Sequence, residues 1–404
     1  MTTYNPGPCF PRGFRAAGVH CGIRANQEKP DLALLVSDAP ASAAAVYTTN
    51  LVKGAPLLVT REHLQNGTAQ AVICNSGNAN TCNADGIEIA EAMCALVESH
   101  LGVPAGDVVV ASTGVIGQPL PIAPIAAGMP ALCETLRYDG GERAARAIMT
   151  TDTFPKLSAA EFKVNGVPCR IGGMAKGSGM IHPNMATLLA FITTDAAIDP
   201  GLLAKTLQES AEGTLNMLSI DGDTSTNDMC CVLANGLAGN DEINGPGEAL
   251  GAFKQALLQV LTELTRMLAR DGEGATKLLE CRVAGAKSLA DARLAARGVI
   301  SSSLVKTAMF GADANWGRAL CALGYSGAAL DPAGVSVSFE SPAGRVDVCE
   351  NGAGVPFSEE QASRVLGEEE IAILIGLGDG EAAATAWGCD LTYDYVKING
   401  DYRT

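Results

Sequence analysis

Histidine is scarce in this sequence. The four histidines are His20, His63, His100 and His182, and none stands at the separations that zinc sites use. A phosphate-binding P-loop is missing, and so is the G-x-S-x-G turn of a nucleophilic serine. Metal, nucleotide and serine-hydrolase chemistry therefore have no support in the residues, and no metal is expected. Basic charge is also short: 28 Lys and Arg face 44 Asp and Glu, a net charge of −16. A nucleic-acid binder carries a basic footprint, so no nucleic-acid partner is expected, and the acidity argues mainly for solubility. The 13 cysteines include no C-x-x-C pair, and only Cys230 and Cys231 are adjacent. An odd, unpatterned set reads as buried, reduced thiols in a cytoplasmic protein. The opening MTTYNPGPCFPRGFRAAG has no apolar core of the signal-peptide kind. No apolar run reaches membrane-spanning length, so no membrane partner is expected.

What is there is an apolar, globular chain. Its 404 residues are 47% hydrophobic and 18% charged, enough for two or three domains. A shift in composition near 285 separates an expected region 1–284 from a smaller one, 285–404.

The most informative stretch is 176–195, KGSGMIHPNMATLLAFITTD. Its first half is built of turn formers, and 188–192 is an apolar run of strand length. Thr187 sits at the seam. Its hydroxyl can attack the carbonyl of Ala186, and hydrolysis of the resulting ester frees a threonine with its own α-amine. That amine has a reference pKa of about 7.7–8.0, so near neutral pH it can serve as base for the hydroxyl beside it. On the residues alone the plainer reading is favoured, that Thr187 begins a strand. His182 is the one histidine nearby and reads as a loop residue.

Strands are expected at 32–36, 44–47, 71–74 and 107–111, with a turn-rich loop, NSGNAN, at 75–80. The strand at 107–111 runs into Ser112, Thr113 and Gly114, where backbone N–H groups can face an anion, although an ordinary strand-to-helix turn has the same pattern. Helices are expected after Asp85, at about 124–137 and 142–149, after Asp199-Pro200, and after Gly245-Pro246-Gly247, with His100 as a C-terminal cap of the first. Asn165-Gly166 predicts a hairpin turn, and Ser288 with Asp291 a capping box. SIDGDTSTND (219–228) starts like a calcium loop, but Thr226 stands where that loop needs glycine; a polar site edge or a turn network remains. Gly376, Gly378 and Gly380 miss the dinucleotide spacing and read as a turn. The last strand is expected at 391–398.

Taken together, KGSGMIHPNMATLLAFITTDA (176–196), ASTGVIG (111–117), MTTDT (149–153), SIDGDTSTND (219–228), RDGEGATK (270–277), ADANWGR (312–318) and WGCDLTYDYVKINGDYRT (387–404) resemble the glutamate N-acetyltransferase / ornithine acetyltransferase family of arginine biosynthesis. The motifs span nearly the whole chain in order. The resemblance implies an α/β fold, an αββα-type sandwich with a smaller α/β C-terminal domain. It implies self-cleavage between Ala186 and Thr187 into an α chain, 1–186, and a β chain, 187–404, assembled as α2β2. Thr187 would be the nucleophile, Thr113 and Gly114 the oxyanion hole. Thr150, Lys176, Thr187, Glu273, Asn399 and Thr404 would contact substrate, with Thr151 adjacent to Thr150. His182 departs from the small residue common there. The implied reaction moves acetyl from N2-acetyl-L-ornithine to L-glutamate in the cytoplasm, with no cofactor; it leaves open whether acetyl-CoA is a further co-substrate. Two other readings use the same residues: an N-terminal-nucleophile amidase or aminopeptidase, and an uncleaved amino-acid-binding protein.

Overall fold

The computed structural model of the chain describes residues 7–182 and 188–401. Among them are fifteen strands and eleven α-helices, arranged in two sheets; the fold is α/β, as expected. Two compact units share the chain. The first is Met1–Gly177, Asn184–Glu212 and Thr224–Leu264; the second is Ser178–Pro183, Gly213–Asp223 and Thr265–Thr404. The composition shift near 285 falls within the second unit, at the end of a strand.

In chain order the strands are β1 (Phe14–Val19), β2 (Leu32–Tyr47), β3 (Thr68–Asn78), β4 (Val108–Val115), β5 (Lys156–Val164), β6 (Val167–Lys176), β7 (Leu189–Thr194), β8 (Leu218–Ser219), β9 (Met229–Ala234), β10 (Leu278–Ala286), β11 (Ser336–Ser341), β12 (Gly344–Glu350), β13 (Ala353–Gly354), β14 (Glu370–Gly376) and β15 (Ala382–Cys389).

The sheet of the first unit runs β4-β3-β2-β9-β7-β6-β5, with β1 also on β2. Successive strand residues point to opposite faces, and here both faces are covered. Leu32, Leu34, Ile73, Val108 and Val110 pack against Met93 and Val97 of the helix Gly86–Leu101 and Ile125 and Met129 of Ile122–Glu134. Ala33, Leu35, Val72, Cys74 and Val109 face the other core, with Ala144, Ala147 and Ile148 of the helix Gly141–Ile148. Two buried faces explain why 71–74 and 108–111 are unbroken apolar runs.

The runs at 32–36 and 44–47 are the two ends of one strand, β2. Its middle, SDAPAS, carries Pro40 and a register shift between Val36 and Ala41, which reads locally as a break. Likewise β3 continues through most of NSGNAN to Asn78, because Asn75, Ser76 and Gly77 pair with Ser112, Thr113 and Gly114 of β4. The hairpin forms as expected: Asn165 and Gly166 take φ of 47° and 85° and join β5 to β6, as a type I′ turn requires. Asp85 precedes its helix but makes no side-chain capping bond.

The sheet of the second unit runs β13-β12-β11-β14-β10-β15-β8. The helix Leu289–Ile300 covers β10 and β15 with a buried face of Ala292, Ala295, Ala296 and Val299, and Ser288 Oγ accepts from Asp291 N at its start. The expected last strand is instead the helix Tyr393–Asp401. Tyr393 and Tyr395 at a spacing of two imitate strand alternation, yet Tyr393 is 85% exposed and Val396 71%, so no sheet face is buried there. The chain is fixed just upstream: Asp390 accepts from Thr276 N and Lys277 N, and Thr392 Oγ1 donates to the Gly274 carbonyl. All thirteen cysteines are free, with Cys82 and Cys321 exposed. Among the described residues no helix is long and apolar enough to cross a membrane.

Candidate active site

In the first unit the parallel pair β3–β4 places Ser76 beside Thr113 and Gly77 beside Gly114. Gly114 has φ 135°, and a Cβ there would run into the Gly77–Asn78 backbone. Only glycine permits that approach. Asn227 anchors the same strand end: its Nδ2 donates to the Ser112 carbonyl at 3.0 Å and the Ala79 carbonyl at 2.6 Å, and its Oδ1 accepts from Thr81 Oγ1 at 2.7 Å. Asn227 belongs to SIDGDTSTND, so this half of that motif is a hydrogen-bond framework under Thr113.

Lys176 ends β6 and is buried. Its Nζ donates to Thr113 Oγ1 at 3.3 Å, which brings together two positions 63 residues apart. Burial lowers the Lys176 pKa; Asp152 opposes the shift and Lys156 adds to it. Asp152 organises this corner. Its Oδ1 accepts from Lys156 Nζ at 2.6 Å and from Gly177 N at 2.7 Å, and its Oδ2 accepts from Thr150 N at 2.9 Å. Burial pushes the Asp152 carboxyl up, but the charges of Lys176 and Lys156 and the donated N–H bonds outweigh it and hold the group below the ordinary carboxylate range. One carboxylate thus fixes the backbone at both Thr150 and Gly177. The sequence reading passed over Asp152; the available signal was a D-x-x-x-K pair inside the irregular stretch TTDTFPK.

In the second unit Glu273 N donates to the Ser178 carbonyl at 2.8 Å, and Ser178 Oγ donates to the Asp271 carbonyl at 2.5 Å. Asn399 Nδ2 donates to Glu273 Oε2 at 2.7 Å and to the Tyr395 carbonyl at 3.1 Å. Glu273 and Asn399, both expected at substrate, are therefore hydrogen-bonded to each other. Gly179 lies against Glu273, and a Cβ there would strike the carboxylate. Asp221 accepts from Met180 N at 2.5 Å and Ile181 N at 2.8 Å, a turn clamp. His182 engages Ser219 Oγ at 3.0 Å through Nδ1 and Arg297 at 3.4 Å through Nε2; burial and the Arg297 charge lower its pKa, against the charges of Asp221 and Asp223.

Ala186, Thr187 and Thr404 lie outside the described residues. Among the described residues no group of three or more His, Cys, Asp or Glu side chains is placed to hold a metal ion.

The chain matches the model of the ArgJ family over residues 15–404. It is 54% identical over 401 residues to the arginine biosynthesis bifunctional protein ArgJ of Symbiobacterium thermophilum, covering 98% of both chains. It is 50% identical over 396 residues to the arginine biosynthesis bifunctional protein ArgJ of Caldanaerobacter subterraneus subsp. tengcongensis, again covering 98% of both. A crystal structure of the arginine biosynthesis bifunctional protein argJ from Bacillus halodurans is similar with a TM-score of 0.50 and 43% identity, covering 52% of this chain and 98% of that one. The chain belongs to the ArgJ family, the glutamate N-acetyltransferase and ornithine acetyltransferase family of arginine biosynthesis, and is an acetyltransferase of that pathway.

Proposed function

We propose that the chain cleaves itself between Ala186 and Thr187 and then moves the acetyl group of N2-acetyl-L-ornithine to L-glutamate through an ester on Thr187. The freed α-amine of Thr187 takes the hydroxyl proton as Oγ attacks the acetyl carbonyl. Negative charge develops on the carbonyl oxygen, where Thr113 and the Gly114 N–H act as donors. Ornithine leaves, glutamate enters, and its amine removes the acetyl group. One amide replaces another, so the exchange is nearly balanced.

The observation that carries this reading is the contact of Lys176 with Thr113. A hydroxyl that accepts from an ammonium keeps its single hydrogen for another acceptor, which suits an oxyanion donor. The buried Lys176 ammonium suits a substrate carboxylate. Glu273, held by Asn399, suits a substrate ammonium, and Thr150 and Thr404 complete the substrate contacts. The relatives are named bifunctional proteins, which supports acetyl-CoA as a second acetyl donor to glutamate; the reading needs no resident cofactor. An α2β2 assembly in the cytoplasm completes the reading.

Intact mass measurement followed by assay tests it. The purified protein should give two chains meeting at 186/187 and transfer acetyl from acetylornithine to glutamate, while Thr187→Ala stays whole and inactive. Clean cleavage of Thr187→Ala would falsify the mechanism. Release of acetate without glutamate would instead identify an amidase.

A further inference from the structure

Arg24 lies between β1 and β2, in the first unit. Asp31 fixes the backbone there: its carboxylate is fully buried and accepts from Cys21 N at 2.6 Å and from Arg24 N at 2.9 Å. The Asp31 carbonyl accepts from Ser76 N at 2.8 Å, so the turn is anchored to β3 at the residue that pairs with Thr113. The arginine stem lies against Gly77. A Cβ on Gly77 would stand 2.8 Å from Arg24 Cγ, and Gly77 has φ 100°. Only glycine lets the side chain pass there.

Arg24 Nη2 donates to the Met149 carbonyl, just past the end of the helix Gly141–Ile148. That carbonyl and the Thr150 N–H belong to one planar peptide group. Thr150 N donates to Asp152 Oδ2 at 2.9 Å. The peptide is therefore gripped from both sides, by a cation on its oxygen and an anion on its N–H. Hydrogen bonds to charged groups are the stronger kind, and together they resist rotation of the plane. Such a rotation would change φ of Thr150 and swing its side chain. Thr150 is half-buried, and among the described residues its hydroxyl makes no hydrogen bond. A cation at a helix C-terminus is favourable in itself, but capping alone explains neither the second grip by Asp152 nor the hydroxyl kept open.

We infer that Arg24 is a positioning residue for substrate: with Asp152 it locks the Met149–Thr150 peptide and so aims the Thr150 hydroxyl. This rests on the contact of Thr150 with substrate proposed above. Arg24 acts through Thr150 and has no need to touch substrate.

A double-mutant cycle on the purified protein tests it, with steady-state kinetics for acetylornithine and glutamate and a thermal midpoint for each variant. Arg24→Gln should raise KM for acetylornithine about 10-fold, within the loss that misplacing a contact can cause. Its kcat should change little, since a contact made equally in ground and transition states appears in KM. Thr150→Val should raise KM as much. Arg24→Gln added to Thr150→Val should raise it no further, because the two changes remove one contact. Arg24→Lys keeps a charged donor without the planar fork and should give a smaller rise; if Arg24→Gln does not fold, Arg24→Lys carries the same cycle. Additive effects on KM overturn the inference, as does a wild-type KM in either single variant, whatever its thermal midpoint. A wild type that moves no acetyl from acetylornithine to glutamate overturns the proposed function and this inference with it, whereas an active wild type with additive or silent variants removes Arg24 alone.

Discussion

Lys176 Nζ donates to Thr113 Oγ1 at 3.3 Å, and that bond orients a hydroxyl whose own hydrogen stays available. Thr113→Val deletes the donor and keeps the shape. It should lower kcat by about 100-fold or more, the loss of about 2.7–4 kcal/mol that an oxyanion donor supplies, with KM changed little. Steady-state kinetics with acetylornithine and glutamate check this; a rise in KM alone would make Thr113 a binding residue.

Gly114 is unsuited to the same experiment. Its Cβ position is occupied by the Gly77–Asn78 backbone and its φ is 135°, so even Gly114→Ala should cost about 1–3 kcal/mol. A lowered thermal midpoint, measured alongside activity, is the expected result.

Asp152 is buried against Lys156, with both side chains fully covered. Asp152→Asn leaves two buried lysines without their carboxylate and should destabilise the protein by about 3–5 kcal/mol. The Asp152 pKa is depressed on folding, so its contribution is fully present above the unfolded value of about 3.9 and is lost as the pH falls towards the folded value. Denaturant unfolding of wild type and variant should therefore show a gap that is constant at neutral pH and narrows below about pH 4.

Asn399 holds Glu273 from the last turns of the helix Tyr393–Asp401. Truncating the chain from 399 would remove those turns, so a single substitution is the cleaner probe. Asn399→Ala should leave cleavage at 186/187 intact and raise KM for acetylornithine several-fold. Unchanged KM would remove the pair from the site; a gel and an assay on one preparation decide.

The elements with local signals were legible. The helix Glu248–Arg270 and the Asn165-Gly166 hairpin follow from periodicity and turn chemistry alone. β2 was split because Pro40 is a local signal, while the pairing of Ser42–Tyr47 (42–47) with β9 that continues the strand is remote. The C-terminal helix was misread for the related reason that two tyrosines at a spacing of two say nothing about whether a sheet is there to receive them. The motif resemblance named Thr113 and Lys176, but their contact spans 63 residues and no spacing rule reaches that far. Asp152 was invisible as a site residue because its contacts with Thr150, Lys156 and Gly177 are properties of the fold.

The strand order has a consequence for the cleavage proposed above. β7 lies between β6 and β9, and a cut at 186/187 falls between β6 and β7. The β6–β7 ladder, from Ile171 opposite Thr194 to Lys176 opposite Leu189, then joins two separate polypeptides inside one sheet, in the manner of fragment complementation. Neither product carries the complete sheet of the first unit. The pieces should part only when the first unit unfolds, and a native measurement should still weigh them as a single 41.4 kDa protomer or a multiple of it, gaining only the water that hydrolysis adds.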